Sequence, residues 1–346
     1  MRTKTVTIIG LILVTLVLLS AGCLDQEADE YELTSDTKSF SKSRSIMDTI
    51  VTIEVLDTNE THALESIDRA FDEIYHVERL MSSYRDDSQL SILNTQGHLD
   101  GADPDFVYVL DRSKYYSRIS DGAFDVTIKP ILDLWSSKYS PGGTYMPPTP
   151  EEINETLKLV NYSSITIEGS NISLRPNMSV VLGGIAKGYS ADKAIESLKL
   201  DGITSGFVNA GGDGRFIGLN EQGVPWNIGL QNPDKSDEAV TIIHLSGMAV
   251  ATSGNYERYF SDAAKVSHIS DPRTGYSSQE LISATVITDT AMDADALATA
   301  VFVLGEDAGI DMIEDLDSVE CLIITDDKRI VRSSGFGEYE IGQKKN

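Results

Sequence analysis

The sequence predicts an α+β fold, mixed sheets with helices packed on them, on three observations. Strand-like and helix-like stretches alternate irregularly, no segment repeats, and no strand-helix period of the kind a doubly wound sheet needs can be traced. At 346 residues, 41% hydrophobic and 24% charged, the chain has the composition of a globular body of one large domain or two. That composition excludes disordered, collagen-like and polytopic membrane proteins.

At the N-terminus Arg2 and Lys4 precede an apolar run over residues 6–19, followed by Ser20, Ala21, Gly22 and Cys23. This is the order of an export signal. The run of about 14 residues is shorter than the roughly 20 of a spanning helix. Residues 1–22 are therefore expected to be a signal peptide. Cys after Ala-Gly resembles a lipoprotein signal, which would lipidate Cys23 and hold the protein on the extracytoplasmic face of the cell membrane. Ser20 stands where such signals carry Leu, so an uncleaved anchor is the alternative. Residues 23–45, polar and poor in apolar side chains, read as a tether. The body is expected over residues 46–346.

Within the body, Val51, Ile53 and Val55 alternate with polar neighbours and predict a half-buried strand. Leu64, Ile67, Phe71, Ile74, Val77 and Leu80 recur at helical spacing and predict an amphipathic helix. Residues 136–150 hold four of the ten prolines and read as an ordered loop, followed by a short helix and by strand-sized runs broken by glycine. Cys321, inside an apolar run, reads as a small buried hydrophobe. Lys and Arg total 28 against 54 for Asp and Glu, a net charge of −26. Such a field repels polyphosphate, so nucleic acid is excluded as a partner. A small anionic ligand would need a local device: backbone amides, one placed Lys, or a divalent cation.

Four segments offer that device. In Leu182-Gly183-Gly184-Ile185-Ala186-Lys187-Gly188-Tyr189, glycines lead into a helix expected from Ser190, and Lys187 adds a point charge; a purely structural turn gives the same pattern. Asn209-Ala210-Gly211-Gly212-Asp213-Gly214 begins like a dinucleotide fingerprint but lacks the third glycine and the following helix, so a tight hairpin is expected. In Ser267-His268-Ile269-Ser270-Asp271-Pro272-Arg273-Thr274-Gly275, a turn follows an imidazole that could serve as a general base. Residues 292–304 form a strong helix stopped by Gly305; Asp295 and Thr299, four apart, share a face and offer hard oxygen ligands, unless Asp295 only answers the helix dipole.

Together with Met47-Asp48-Thr49, Met81-Ser82-Ser83-Tyr84 and Gly122-Ala123-Phe124-Asp125-Val126-Thr127, these segments resemble the FAD:protein FMN transferases of the ApbE type. The resemblance implies a two-subdomain body with a ligand cleft, holding FAD with Mg²⁺ on its pyrophosphate. It would place Met47, Tyr84, Ala123, Phe124, Asp125, Lys187 and Ile269 around FAD. It would give the metal Asp295, Thr299 and a backbone carbonyl near Gly184. Two positions depart from the family pattern: Asp48 stands where Gly is usual, and Val181 where an Asp touches the cofactor.

The implied reaction moves FMN to a Thr, or sometimes Ser, hydroxyl of an exported acceptor flavoprotein, such as a redox-complex subunit, and releases AMP. Lys187 is the candidate for charge stabilisation, His268 for deprotonating the hydroxyl, and Asp271 for orienting His268. Water in place of the hydroxyl would make the protein an FAD pyrophosphatase. A flavin-binding lipoprotein without turnover is the reading from another class.

Overall fold

Eight strands build the main sheet: β1 (Lys38–Ile46), β2 (Thr49–Asp57), β3 (Gly206–Ala210), β4 (Asp213–Ile217), β5 (Ala249–Gly254), β6 (Leu281–Thr288), β7 (Glu320–Thr325) and β8 (Ile330–Arg332). Their order in space is their order in sequence, and each is antiparallel to the next. The computed structural model describes residues 36–140, 143–233, 235–255, 259–261, 266–267 and 269–341, all of which fall in one unit, Leu33–Asn346. The signal segment, Cys23 and His268 lie outside the described residues. Among the described residues no helix is long and apolar enough to cross a membrane.

Helices enter the sheet at two connections. Between β2 and β3 lie α1 (Glu60–Met81), α2 (Gln89–Gln96), α3 (Pro104–Ile119), α4 (Lys129–Tyr139), α5 (Pro150–Leu157) and α6 (Ala186–Leu200). Between β6 and β7 lie α7 (Ala291–Leu304) and α8 (Glu306–Glu314). The alternation expected for β2 holds: Val51, Ile53 and Val55 are fully buried under α1 and α6. The stripe on α1 holds too, with Ile67, Phe71, Ile74 and Val77 in the core. On the opposite face of the sheet, Leu56, Phe216, Val250, Ile287 and Leu322 pack under Trp226, Leu230, Ile243 and Phe336. Helices on one face and a hairpin on the other make this an α+β body.

Three local expectations change. Residues 38–45, read as tether, join Ile46 in β1 and pair along their length with β2. The strand is polar because it is an edge: Lys42 and Arg44 reach Asp68 on α1, and the Arg44 guanidinium lies 4.3 Å from the centre of the Phe71 ring. Residues 136–139, expected in a loop, complete α4. The next helix, α5, then starts at a capping box of Thr149 and Glu152. Ile128, Ile131, Trp135 and Ile153 give α4 and α5 a small core of their own.

Candidate active site

The third change concerns α6, which begins at Ala186 rather than Ser190 and so takes Lys187 and Gly188 into its first turn. Tertiary contact overrides the low helix propensity of glycine here. A Cβ on Gly188 would sit 2.1 Å from the Ala291 carbonyl oxygen, so only glycine lets α6 meet the start of α7. Asp192 fastens the junction by accepting the N–H groups of Ala291 (2.9 Å) and Met292 (2.8 Å). Thr290 caps α7 with its side chain. The first-turn acid there is Asp293, which leaves Asp295 free of a capping duty.

Asp295 faces α6 instead. Its Oδ2 accepts the Gly188 N–H at 3.1 Å, and the residue is 4% exposed. One turn on, Thr299 Oγ1 lies 3.1 Å from Ser253 Oγ on β5. A Cβ on Gly184 would stand 2.9 Å from that same Oγ1, so Gly184, Thr299 and Asp295 share one wall.

Lys187 adds charge beside them. Its Nζ donates to Oδ2 of Asp213, which is 1% exposed at the start of β4. The expected hairpin presents Asp213 through Gly211 and Gly212, both at positive φ (69° and 104°). Gly211 also packs on Thr49, whose Oγ1 would be 2.2 Å from an added Cβ. Burial pushes the Asp295 carboxyl well above the usual carboxylate range and the charge of Asp213 adds to this, while Lys187 and the Gly188 N–H pull it down. Lys187 is drawn to Asp213 while burial holds the Asp295 carboxyl up, and a hard cation bound at Asp295 would favour its ionised form.

Lys187, Ser253, Asp295 and Thr299 line a cavity of about 870 Å³, with Asp213 behind Lys187 and outside the lining. Met47, Tyr84, Ala123, Phe124, Asp125, Lys187 and Ile269 all line it, as do Gly184, Asp295 and Thr299. Met47 and Asp48 form the two-residue turn between β1 and β2, both at left-handed φ (53° and 60°). That backbone favours Gly, and Asp is among the few residues that tolerate it. Glu78 Oε1 accepts the Met47 N–H at 2.8 Å and holds the turn at the rim.

Residues 47–323 match the profile of the ApbE family. The chain belongs to the ApbE family. It is 34% identical over 332 residues to the FAD:protein FMN transferase of Vibrio cholerae, covering 93% of each chain. It is 33% identical to that of Haemophilus influenzae, covering 97% of this chain and 98% of the relative. Among solved structures, the ApbE protein of Thermotoga maritima superposes with a TM-score of 0.80 at 30% identity, covering 88% of this chain and 99% of that one. The flavin transferase ApbE of Vibrio cholerae gives 0.74 at 31% identity over the same shares.

Within this ApbE-family site, hydrogen bonds fix two of the expected residues in place. Asp125 lines the cavity, but its Oδ1 accepts the N–H (2.8 Å) and hydroxyl (2.7 Å) of Thr127 and its Oδ2 the N–H of Tyr162 (3.0 Å). Burial pushes this carboxyl up, and its duty is to fix the loop that presents Ala123 and Phe124. Asp271, whose expected partner His268 lies outside the described residues, accepts from Nε and Nη2 of Arg273 at 2.9 and 3.0 Å. It closes its own turn by accepting the Gly275 N–H on its carbonyl (2.8 Å). Asp213 was not expected as a site residue. The only trace of its role in the sequence is an acid in a buried hairpin, which needs a cation, and Lys187 lies 26 positions away.

Proposed function

We propose that this flavin transferase moves FMN from FAD onto a Thr, or Ser, hydroxyl of an exported acceptor flavoprotein, with Mg²⁺ in the site and release of AMP. The observation that carries the reading is the convergence of Lys187, Asp295 and Thr299 on one cavity. Asp295, Thr299 and the Gly184 carbonyl would hold Mg²⁺, which when bound neutralises pyrophosphate charge and stabilises the leaving AMP. The donor set fits: hard oxygens, a buried carboxyl that a bound cation would ionise, and a wall that any side chain on Gly184 would fill.

The remaining work falls to the chain. Lys187, kept in place by Asp213, faces the phosphates with its Nζ, and the first turn of α6 adds its N-terminal dipole. The acceptor hydroxyl oxygen forms a bond to the FMN phosphorus as the bond from phosphorus to the AMP phosphate oxygen breaks. Its proton passes to the imidazole of His268. FMN ends as a phosphoester and AMP leaves.

Incubating the protein with FAD, Mg²⁺ and an acceptor domain, then weighing the acceptor, tests this. The expected result is an acceptor heavier by one FMN phosphoester, with an equal amount of AMP. Free FMN and AMP with unmodified acceptor would mean a pyrophosphatase, and unchanged FAD a flavin carrier. We also place the protein on the extracytoplasmic face of the membrane through lipidated Cys23. Cys23→Ser should abolish processing or release the body from the membrane fraction, and a variant retained like the parent would overturn the anchor.

A further inference from the structure

Ser270 carries a group for which the fold has no use. The residue is 5% exposed, lines the cavity, and its Oγ has no hydrogen-bond partner among the described residues. Its backbone cannot shift to find one. Ile269 accepts the Ser278 N–H (3.2 Å) and Asp271 donates to the Tyr276 carbonyl (2.8 Å), clamping Ser270 from both sides. Trp135 Nε1 donates to the Gly275 carbonyl at 2.8 Å and ties this small hairpin to α4. A buried hydroxyl left unpaired costs stability, and alanine would fill nearly the same space without that cost.

We propose that Ser270 is a ligand-recognition residue whose hydroxyl hydrogen-bonds a polar atom of the dinucleotide bound in the cavity. Rotation about χ1 moves the oxygen between staggered positions, so a bound acceptor can draw it from its unpaired setting without moving the backbone. The free protein therefore carries a small destabilisation that the ligand relieves, and the relief counts toward affinity. The position lies on the hairpin that Trp135 ties to α4. A neutral hydroxyl there adds recognition and no charge. The inference rests on the reading that FAD occupies this cavity.

The test is Ser270→Ala in the full chain, with FAD binding and thermal melting measured in parallel on parent and variant. The ligand-free variant should melt at or above the parent, while its affinity for FAD falls roughly three- to tenfold, the range of one neutral hydrogen bond. Titration with FMN and with AMP then tells which half of the dinucleotide the hydroxyl meets, since only one should lose affinity. Equal FAD affinity in parent and variant would overturn the inference. So would a lower melting temperature of the ligand-free variant, which would give the hydroxyl to the fold. A parent that binds no FAD would instead remove the proposed function, and the two failures are distinguishable.

Discussion

The two ends of the cavity are built on opposite plans. At the α6–α7 end, ionisable side chains are buried beside helix starts, and Gly184 and Gly188 hold them so closely that any side chain would collide. At the α4 end, Leu132 and Val181 rest on a satellite core of four buried residues, the Lys129–Asp133 ion pair and Ser136 line the cavity from α4 itself, and Ser270 adds a buried hydroxyl. The charged end holds its groups through close packing and hydrogen bonds within the protein, so it is suited to stabilising charge that develops during reaction. The α4 end offers apolar area from Leu132 and Val181 together with polar groups that stand clear of the buried carboxylates, so it is suited to recognising what is bound. Substitutions at the first should act on rate and at the second on affinity.

The largest expected effect is at Asp295. Asp295→Ala should abolish transfer while the fold survives, because the loss leaves one N–H of Gly188 unpaired, about 1–3 kcal/mol, and also removes a desolvated carboxyl. Normal turnover in Mg²⁺ with a normal melting temperature would break the assignment of the charged end to catalysis. Next comes His268→Ala, expected to lower single-turnover transfer by roughly 10² to 10⁴ with FAD affinity nearly unchanged. In the parent, the rate should fall with falling pH, since a protonated base cannot accept the proton. A saturated rate close to that of the parent would remove His268 from the mechanism.

Asp213→Asn should be milder, slowing transfer roughly 10- to 100-fold, because it loosens Lys187 without removing it. Combined with Lys187→Ala it should add little, and full additivity in that double variant would uncouple the pair. The smallest effect is expected at the α4 end. Leu132→Ala should raise the FAD concentration for half-saturation a few-fold at an unchanged maximal rate, since it only reduces apolar contact. A matching drop in maximal rate would show that the two ends do not divide the work.

What was legible in the sequence was whatever depends on local periodicity. The stripe on α1, the alternation in β2, and the face of α7 shared by Asp295 and Thr299 follow from spacing alone. The buried thiol of Cys321, pushed up to about 12 chiefly by burial, follows from the apolar run around it. Features set by distant partners stayed hidden. β1 looks like tether because an edge strand exposes one side and covers the other with Lys and Arg stems. The true start of α6 was masked by Gly188, whose penalty in a helix is offset by a contact with Ala291 that no local rule contains. Ser270 is a serine next to a turn in sequence, and only its burial without a partner sets it apart.

The sequential order of the main sheet conceals one long-range step. β2 and β3 are neighbours, yet residues 58–205 separate them. Closing so long a loop costs little more than closing a shorter one, since each doubling adds about 0.6 kcal/mol, but the search slows folding as the separation of contacts grows. The cavity straddles that junction: Met47 precedes the insertion, Tyr84, Phe124 and Lys187 lie within it, and Asp295 follows it. A chain emerging N-terminus first therefore has no complete nucleotide site until α7 has joined the sheet. Flavin fluorescence quenched on refolding would report the final assembly step, and added FAD would stabilise the finished body without rescuing a chain cut before α7.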